Sequence, residues 1–246
     1  AYRTDVAQLR RQLPDFPSEI HFIESSIKRT GDRFAPSNDY SSLSSYPTVQ
    51  ALMDAARSLE DGETIHVLCW GSLTEPAIAA AHCLSTGQTN ILQRLTFVAH
   101  LTNSPLHQGS SEHPENVANC REDAAACAYL KRLAAEGKIA YHECGAIGQH
   151  GIVSGGPKGN KYFDRFRESE LGKIFVEGKF VHNGVDHSDS ATYWTLLGDG
   201  GVSLADIPAD GSNSSDIEGA NEQKFRQSSR RIHDELLRRS NLAAGN

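Results

Sequence analysis

Two aspartates and a histidine lie within four consecutive residues of this 246-residue chain, directly before a segment with helical periodicity. They are Asp186, His187 and Asp189, and the periodic segment begins at Ser190. Carboxylate oxygens are ligands for hard cations, and an imidazole can donate a proton near neutral pH. The structural alternative is that Asp189 only caps the helix while His187 is solvated. The run therefore predicts either a metal-binding and acid–base site or an ordinary helix start.

Polar residues also follow the segments predicted as strands. The turn 71–74 follows the strand that ends at Trp70, Thr102 and Asn103 follow the next predicted strand, and Glu143 lies near the end of a third. Because the carboxyl ends of parallel strands meet at one edge of a sheet, we expect these residues to converge there. Serine, threonine and asparagine also cap helices and form turns, so a structural role stays open for each of them.

A glycine-rich stretch, residues 145–151, has the spacing GxxGxxG. This spacing differs from the GxGxxG of dinucleotide-binding folds and from a phosphate-binding loop that ends in lysine and serine or threonine. We expect a flexible loop that covers a pocket. A nucleotide-binding switch or a dehydrogenase would rest on this stretch alone.

Helical and strand patterns alternate along most of the chain. Helices are predicted at residues 4–13, 48–59, 74–84, 120–136, 190–197 and 222–242, and strands at residues 19–25, 64–70, 92–101 and 139–144. Strands that alternate with helices are typical of βαβ units. The predicted fold class is therefore α/β, with an open, mostly parallel sheet and helices on both faces.

Composition narrows the range of partners. The chain has 31 acidic and 24 basic residues, a formal charge of -7, so a broad basic surface for nucleic acid is not expected. No run approaches the roughly 18 to 20 apolar residues of a membrane span. We therefore expect neither a nucleic acid nor a membrane as partner.

The five cysteines are scattered, with no CxxC pair and no spacing typical of a metal site. Such a set is typical of free thiols that are mostly buried, and it favours a reducing compartment. The cytoplasm is the favoured location, while secretion stays open.

Four stretches, in order along the chain, are similar to motifs of one enzyme family. Residues 64–77 (TIHVLCWGSLTEPA) resemble a strand, GPLTN turn and helix, and residues 119–126 (NCREDAAA) resemble an FNxxxDPEAA segment. Residues 188–198 (SDSATYWTLLG) match a GDTPSFLYLIG stretch in length and pattern, and residues 4–9 (TDVAQL) resemble a DDxxxL motif. The family is that of the inosine–uridine type nucleoside hydrolases. The third stretch is closer to the nucleoside-hydrolase-like domain of bacterial proteins linked to polysaccharide use.

The resemblance implies that residues 1–246 form a single Rossmann-like domain of this type. The family's first strand, whose leading aspartate would precede Ala1, is not among them. A Ca²⁺ ion is the implied cofactor, and its implied ligands are Asp5, Asp189 and the backbone at Cys69. His187 is the implied catalytic acid. The residues implied to contact the substrate are Asn119, Asn103, Trp70 and Asp186.

Two functions follow from the resemblance. One is hydrolysis of N-glycosidic bonds in ribonucleosides or related glycosides by a Ca²⁺-bound water. The other is a non-catalytic sugar-binding or interaction module that keeps the fold. In both, the expected partner is a small nucleoside or sugar, and a homo-oligomer stays open.

Overall fold

The computed structural model describes residues 1–25, 27, 31–110 and 113–246. Its helices are α1 (Tyr2–Gln12), α2 (Pro47–Arg57), α3 (Thr74–Ser85), α4 (Thr89–Leu92), α5 (Ala118–Glu122), α6 (Ala124–Ala135), α7 (Asn160–Phe163), α8 (Glu170–Val176), α9 (Ser190–Leu197) and α10 (Ser215–Ala244). Its strands are β1 (Ile65–Cys69), β2 (Leu95–Ala99), β3 (Ala140–Glu143), β4 (Phe180–Val181) and β5 (Gly184–Val185). A π-helical segment, Gly148–Val153, lies between β3 and α7.

The protein is a mixed α/β structure with about 51% helix. Strands β1, β2 and β3 form a parallel sheet in that order, and β4 and β5 form a separate antiparallel hairpin. Alternate residues of β2 enter two different hydrophobic clusters: Phe97 and Ala99 pack with residues of α2, α3 and α6, and Val98 packs with residues of α9 and α10. Helices therefore cover both faces of the sheet, which confirms the predicted α/β class and the parallel strands.

The predicted strand at residues 19–25 is wrong. This segment has no regular structure, and Phe22 is 82% exposed, with Ile20 and Ile23 also exposed. A strand is stabilised by pairing with a neighbouring strand, and within the described residues this segment belongs to neither sheet. Three apolar residues between polar flanks are therefore not sufficient for a strand.

The predicted helix at residues 120–136 is divided in two at Asp123. The Asp123 carboxylate accepts a hydrogen bond from the Ala126 amide and so caps α6, while Asp123 itself has an extended backbone that ends α5. Aspartate favours such a cap over a position inside a helix.

Helix α10 begins seven residues earlier than predicted, at Ser215. The Ser214 hydroxyl accepts a hydrogen bond from the Ile217 amide, and Asp216 and Glu218 lie in the first turn, where negative charge is stabilising. In the described ranges, neither α10 nor any other helix is long and apolar enough to cross a membrane.

The glycine-rich stretch is a packed segment, which corrects the prediction of a flexible covering loop. A Cβ atom on Gly148 would lie 1.9 Å from the Ser188 carbonyl oxygen, and one on Gly151 would lie 2.8 Å from the Phe225 Cβ. These glycines allow the π-helical segment to approach the start of α9 and the side of α10 closely.

Two of the five cysteines are paired, which corrects the expectation of five free thiols. Cys120 on α5 and Cys127 on α6 form a disulfide, with 5.4 Å between their Cα atoms. Cys69, Cys83 and Cys144 are free and buried.

Candidate functional site

Trp70 and His100 lie side by side at the carboxyl ends of β1 and β2. Cys69 and Ala99 are partners in the parallel register, and the His100 amide donates to the Cys69 carbonyl at 3.0 Å. Both side chains extend toward α9, because the Trp70 Nε1 donates to the Thr192 hydroxyl at 2.8 Å and the His100 Nε2 lies 3.9 Å from an Asp189 carboxylate oxygen. The sheet edge and the start of α9 thus bring an indole, an imidazole and a carboxylate together.

The Trp70 indole is exposed although its position is fixed. The residue is 54% exposed, while the hydrogen bond to Thr192 holds the ring in one orientation. Two clefts, of about 420 Å³ and 510 Å³, are both lined by Trp70, Gly71, Ser72 and Glu75. Their volumes fall in the range of small-molecule sites. Trp70 therefore presents a fixed aromatic surface to an open, ligand-sized space.

Asp189 occupies the cap position of α9 without capping it. Its carboxylate accepts no hydrogen bond from the helix amides, and its side chain is 43% exposed. Burial, together with the neighbouring Asp186 carboxylate, raises the pKa of Asp189 to about 6. The structural alternative of a simple cap is therefore not observed, and the carboxyl group is partly exposed to solvent.

His100 is a buried neutral base beside this carboxyl group. It is 3% exposed, and this burial lowers its pKa to about 4 even though the Glu143 and Asp186 carboxylates favour the protonated form. Near neutral pH, Asp189 thus faces an uncharged imidazole.

Asn119 and Asn103 both lie next to the end of β2. The side-chain amide of Asn119 donates a hydrogen bond to the His100 carbonyl at 2.7 Å, and Asn119 lines the 510 Å³ cleft. The Asn103 carbonyl accepts from the Asn213 side chain, and the Asn103 Oδ1 is buried without a partner among the described residues. Leu101, which follows His100 in the turn after β2, has a φ of 57°, a strained value for a leucine.

Two buried carboxylates hold this turn in place. Glu143 accepts hydrogen bonds from the Thr102 and Gly145 amides and from the Lys131 ammonium group. Glu218, on α10, accepts from the Ser104 hydroxyl and the Ala146 amide. Glu143, the last residue of β3, thus positions the turn after β2 and does not line either cleft.

His187 does not reach the sheet edge. Its Nε2 lies 3.1 Å from the His233 Nε2 on α10, its Nδ1 lies 3.0 Å from the Ser190 hydroxyl, and its ring packs near Phe175. Burial and the His233 ring lower the pKa of His187 to about 3. An imidazole that is neutral at pH 7 and directed at α10 does not fit the predicted role of catalytic acid.

Asp5, Asp186 and the Cys69 carbonyl are each occupied by other contacts. The Asp5 carboxylate on α1 accepts from the Leu171 amide at 2.8 Å, and the Cys69 carbonyl accepts the sheet bond from His100. Asp186 lies near Asp189 but accepts from the amide and hydroxyl of Ser188. The predicted metal ligands are therefore not brought together.

The residues present do not fit the implied Ca²⁺ ion. Within the described ranges, no group of three or more His, Cys, Asp or Glu side chains is arranged to hold a metal ion. Ca²⁺ prefers six to eight oxygen ligands. Of the three predicted ligands, the Cys69 carbonyl and the Asp189 carboxylate lie at the sheet edge, and the Cys69 carbonyl already accepts the sheet hydrogen bond from His100.

The comparisons with known proteins identify no relative. No protein-family model, curated protein or solved structure matches the chain. The resemblance to nucleoside hydrolases therefore stays a prediction.

Proposed function

We propose that this protein binds a sugar-containing small molecule, a free sugar or a nucleoside, at the carboxyl ends of β1 and β2. The observation that carries the proposal is Trp70, an exposed indole fixed by Thr192 between two open clefts. An aromatic ring provides a flat apolar surface for the C–H face of a sugar or for a planar base. Ser72, Glu75 and Asn119 add the hydroxyl, carboxylate and amide groups that bind ligand hydroxyls.

The fold proposed for this site is that of the nucleoside hydrolases. The stretch 64–77 forms β1, a turn and the start of α3, as the corresponding family motif would. The stretch 188–198 forms α9 with Asp189 at its beginning. The places of these two stretches in the fold support the proposed nucleoside-hydrolase fold. A sugar ligand is what that family resemblance implies.

Calorimetric titration tests the binding proposal. We expect the wild-type protein to bind at least one of ribose, glucose, inosine and uridine, and Trp70→Ala to weaken that binding at least tenfold. Trp70→Phe keeps an aromatic ring but lacks the N–H that Thr192 accepts, so it should retain part of the affinity. Binding that is equal in the wild type and in Trp70→Ala would contradict the proposal, and so would the absence of binding by all four.

Hydrolysis of a glycosidic bond is the second candidate. The observation that favours it is the Asp189 carboxyl group, whose pKa is raised to about 6 and which lies 3.9 Å from the His100 Nε2. Water would add to the anomeric carbon as the bond to the leaving group breaks. Asp189 would give its proton to the leaving group, and a proton from the water would restore the acid. This candidate uses no metal ion.

A release assay separates the two functions. Incubation of a bound nucleoside with the protein should liberate the free base if Asp189 acts as the acid, and Asp189→Asn should abolish turnover while retaining binding. Binding without any release of base would leave the sugar-binding module and exclude hydrolysis of that nucleoside.

A further inference from the structure

The two clefts beside Trp70 differ in chemistry, although they share Trp70, Gly71, Ser72 and Glu75. We infer that the ligand has two parts: a sugar that occupies the larger cleft, and an apolar alkyl or aryl aglycone that occupies the smaller one. This inference rests on the proposed sugar-binding function and specifies the class of ligand. The site then selects glycosides with an apolar aglycone over free sugars.

The larger cleft is polar and carries both signs of charge. Arg33, Asn119, Glu122 and Glu75 line it together with Ser72. The Arg33 guanidinium is held by the Glu122, Gly31 and Asp32 carbonyls, so the side chain is fixed near the cleft. Fixed donors and acceptors of this kind suit a polyhydroxylated ring, in which each hydroxyl both donates and accepts.

The smaller cleft is predominantly apolar. Besides the shared residues and Thr48, its lining consists of Val49, Leu52, Pro76, and residues 67–69 of β1. Leu52, Val67 and Leu68 are only partly buried, so apolar surface remains open to solvent in a strand that would normally be covered on both faces. Covering such surface removes it from water, which favours binding of an apolar group.

The shared residues place the two clefts next to each other, on either side of the turn that follows β1. Glu75 accepts a hydrogen bond from Thr48 on α2, and the Ser72 hydroxyl lies 3.0 Å from that of Thr74. These contacts fix the turn between the clefts, and Trp70 lines both of them. A ligand that bridges the turn keeps its sugar on the Asn119 side and its aglycone on the Leu52 side.

The test compares methyl and phenyl glycosides of the same sugar, with β-D-ribofuranosides and β-D-glucopyranosides as probes in calorimetry. We expect the phenyl glycoside to bind about tenfold more tightly than the methyl glycoside, a difference of about 1.4 kcal/mol. Leu52→Asp should remove this advantage, so that the phenyl and methyl glycosides bind with similar affinity. Val67→Thr, which keeps the shape of the side chain and adds a hydroxyl, should reduce the advantage with a smaller change in the protein. Leu197→Asp, at an exposed leucine outside both clefts, is the matched control.

The outcomes separate this inference from the function on which it rests. Equal affinity for methyl and phenyl glycosides, or an advantage that survives both Leu52→Asp and Val67→Thr, overturns the two-part ligand and leaves the sugar site standing. Failure of both kinds of glycoside to bind overturns the sugar site as well.

Discussion

Glu143 shows how a single buried charge supports the candidate site. Its side chain is inaccessible to solvent and lies 2.8 Å from the Lys131 ammonium group, which is itself 11% exposed. Removing one partner of a buried ion pair is costly, because the other charge is left without compensation. The same carboxylate also accepts hydrogen bonds from the Thr102 and Gly145 amides, so its loss affects the turns that follow β2 and β3.

Glu143→Gln should therefore lower the free energy of unfolding by about 3 kcal/mol, as measured by urea denaturation. The control is Asp234→Asn, which breaks an ion pair with Arg230 in which both side chains are more than half exposed. That change should cost less than about 0.5 kcal/mol. Equal losses in the free energy of unfolding for the two substitutions would show that Glu143 does not stabilise the turn.

The disulfide yields a second residue-scale prediction. In denaturant and without a reductant, Ellman's reagent should titrate three thiols, those of Cys69, Cys83 and Cys144. After reduction it should titrate five. Five reactive thiols before reduction would contradict the pairing of Cys120 with Cys127.

Sequence indicated part of the candidate site and missed His100. Trp70 and Asp189 were predicted because each stands at an evident boundary, after a buried strand and before a periodic helix. His100 was counted inside a strand predicted to run to residue 101, whereas β2 ends at Ala99. His100 could have been found from its position, because it directly follows β2 just as Trp70 directly follows the neighbouring strand β1. His187 and Asp5 were misplaced because sequence spacing does not reveal which way a side chain points.

At the scale of elements, the sequence predicts most accurately the helices and strands whose residue pattern is local to the element. Helix α9 has the predicted bounds, and β1 and β3 each lie within one residue of the predicted ends. The segment 19–25 depends on a partner strand, and the π-helical segment depends on glycines fitting against α9 and α10. Such tertiary contacts are not visible in a local pattern.

Two glycine substitutions test the close packing of these elements. Gly148→Ala should destabilise the protein by about 2 kcal/mol, because its Cβ would overlap the Ser188 carbonyl and displace the start of α9. Gly219→Ala, inside α10 with its nearest neighbour at 3.6 Å, should instead stabilise the protein by up to about 1 kcal/mol. Thermal denaturation of both variants measures the difference, and a neutral Gly148→Ala would contradict the packing described.

At the scale of the whole molecule, several histidines are held neutral inside the fold. Burial lowers the pKa of His187 to about 3 and that of His100 to about 4, and it also lowers the pKa of His142, His150 and His233. In the unfolded chain these groups titrate near 6.5. Below that pH the unfolded chain therefore binds more protons than the folded protein.

The free energy of unfolding should thus fall as the pH is lowered from 7 to 5. For each histidine that stays neutral, the slope approaches about 1.4 kcal/mol per pH unit only below pH 6.5, so the change from pH 7 to 5 is about 2 kcal/mol per group. Asp189 acts in the opposite direction, since its pKa is raised, but it is a single group. Denaturation curves at both pH values measure the change, with His187→Gln expected to reduce it. A stability that is constant or higher at pH 5 would contradict the buried neutral histidines.

The central claim is that ligand binds at Trp70, and the indole N–H resonances test it most directly. The chain has two tryptophans: Trp70 is exposed at the sheet edge, and Trp194 is buried in the cluster between α9 and α10. In ¹⁵N–¹H correlation spectra, titration with ribose, inosine or phenyl β-D-ribofuranoside should shift the Trp70 indole signal and leave that of Trp194 in place. Trp70→Phe assigns the two signals. A Trp70 signal that stays unchanged at saturating concentrations of all three ligands would contradict the claim.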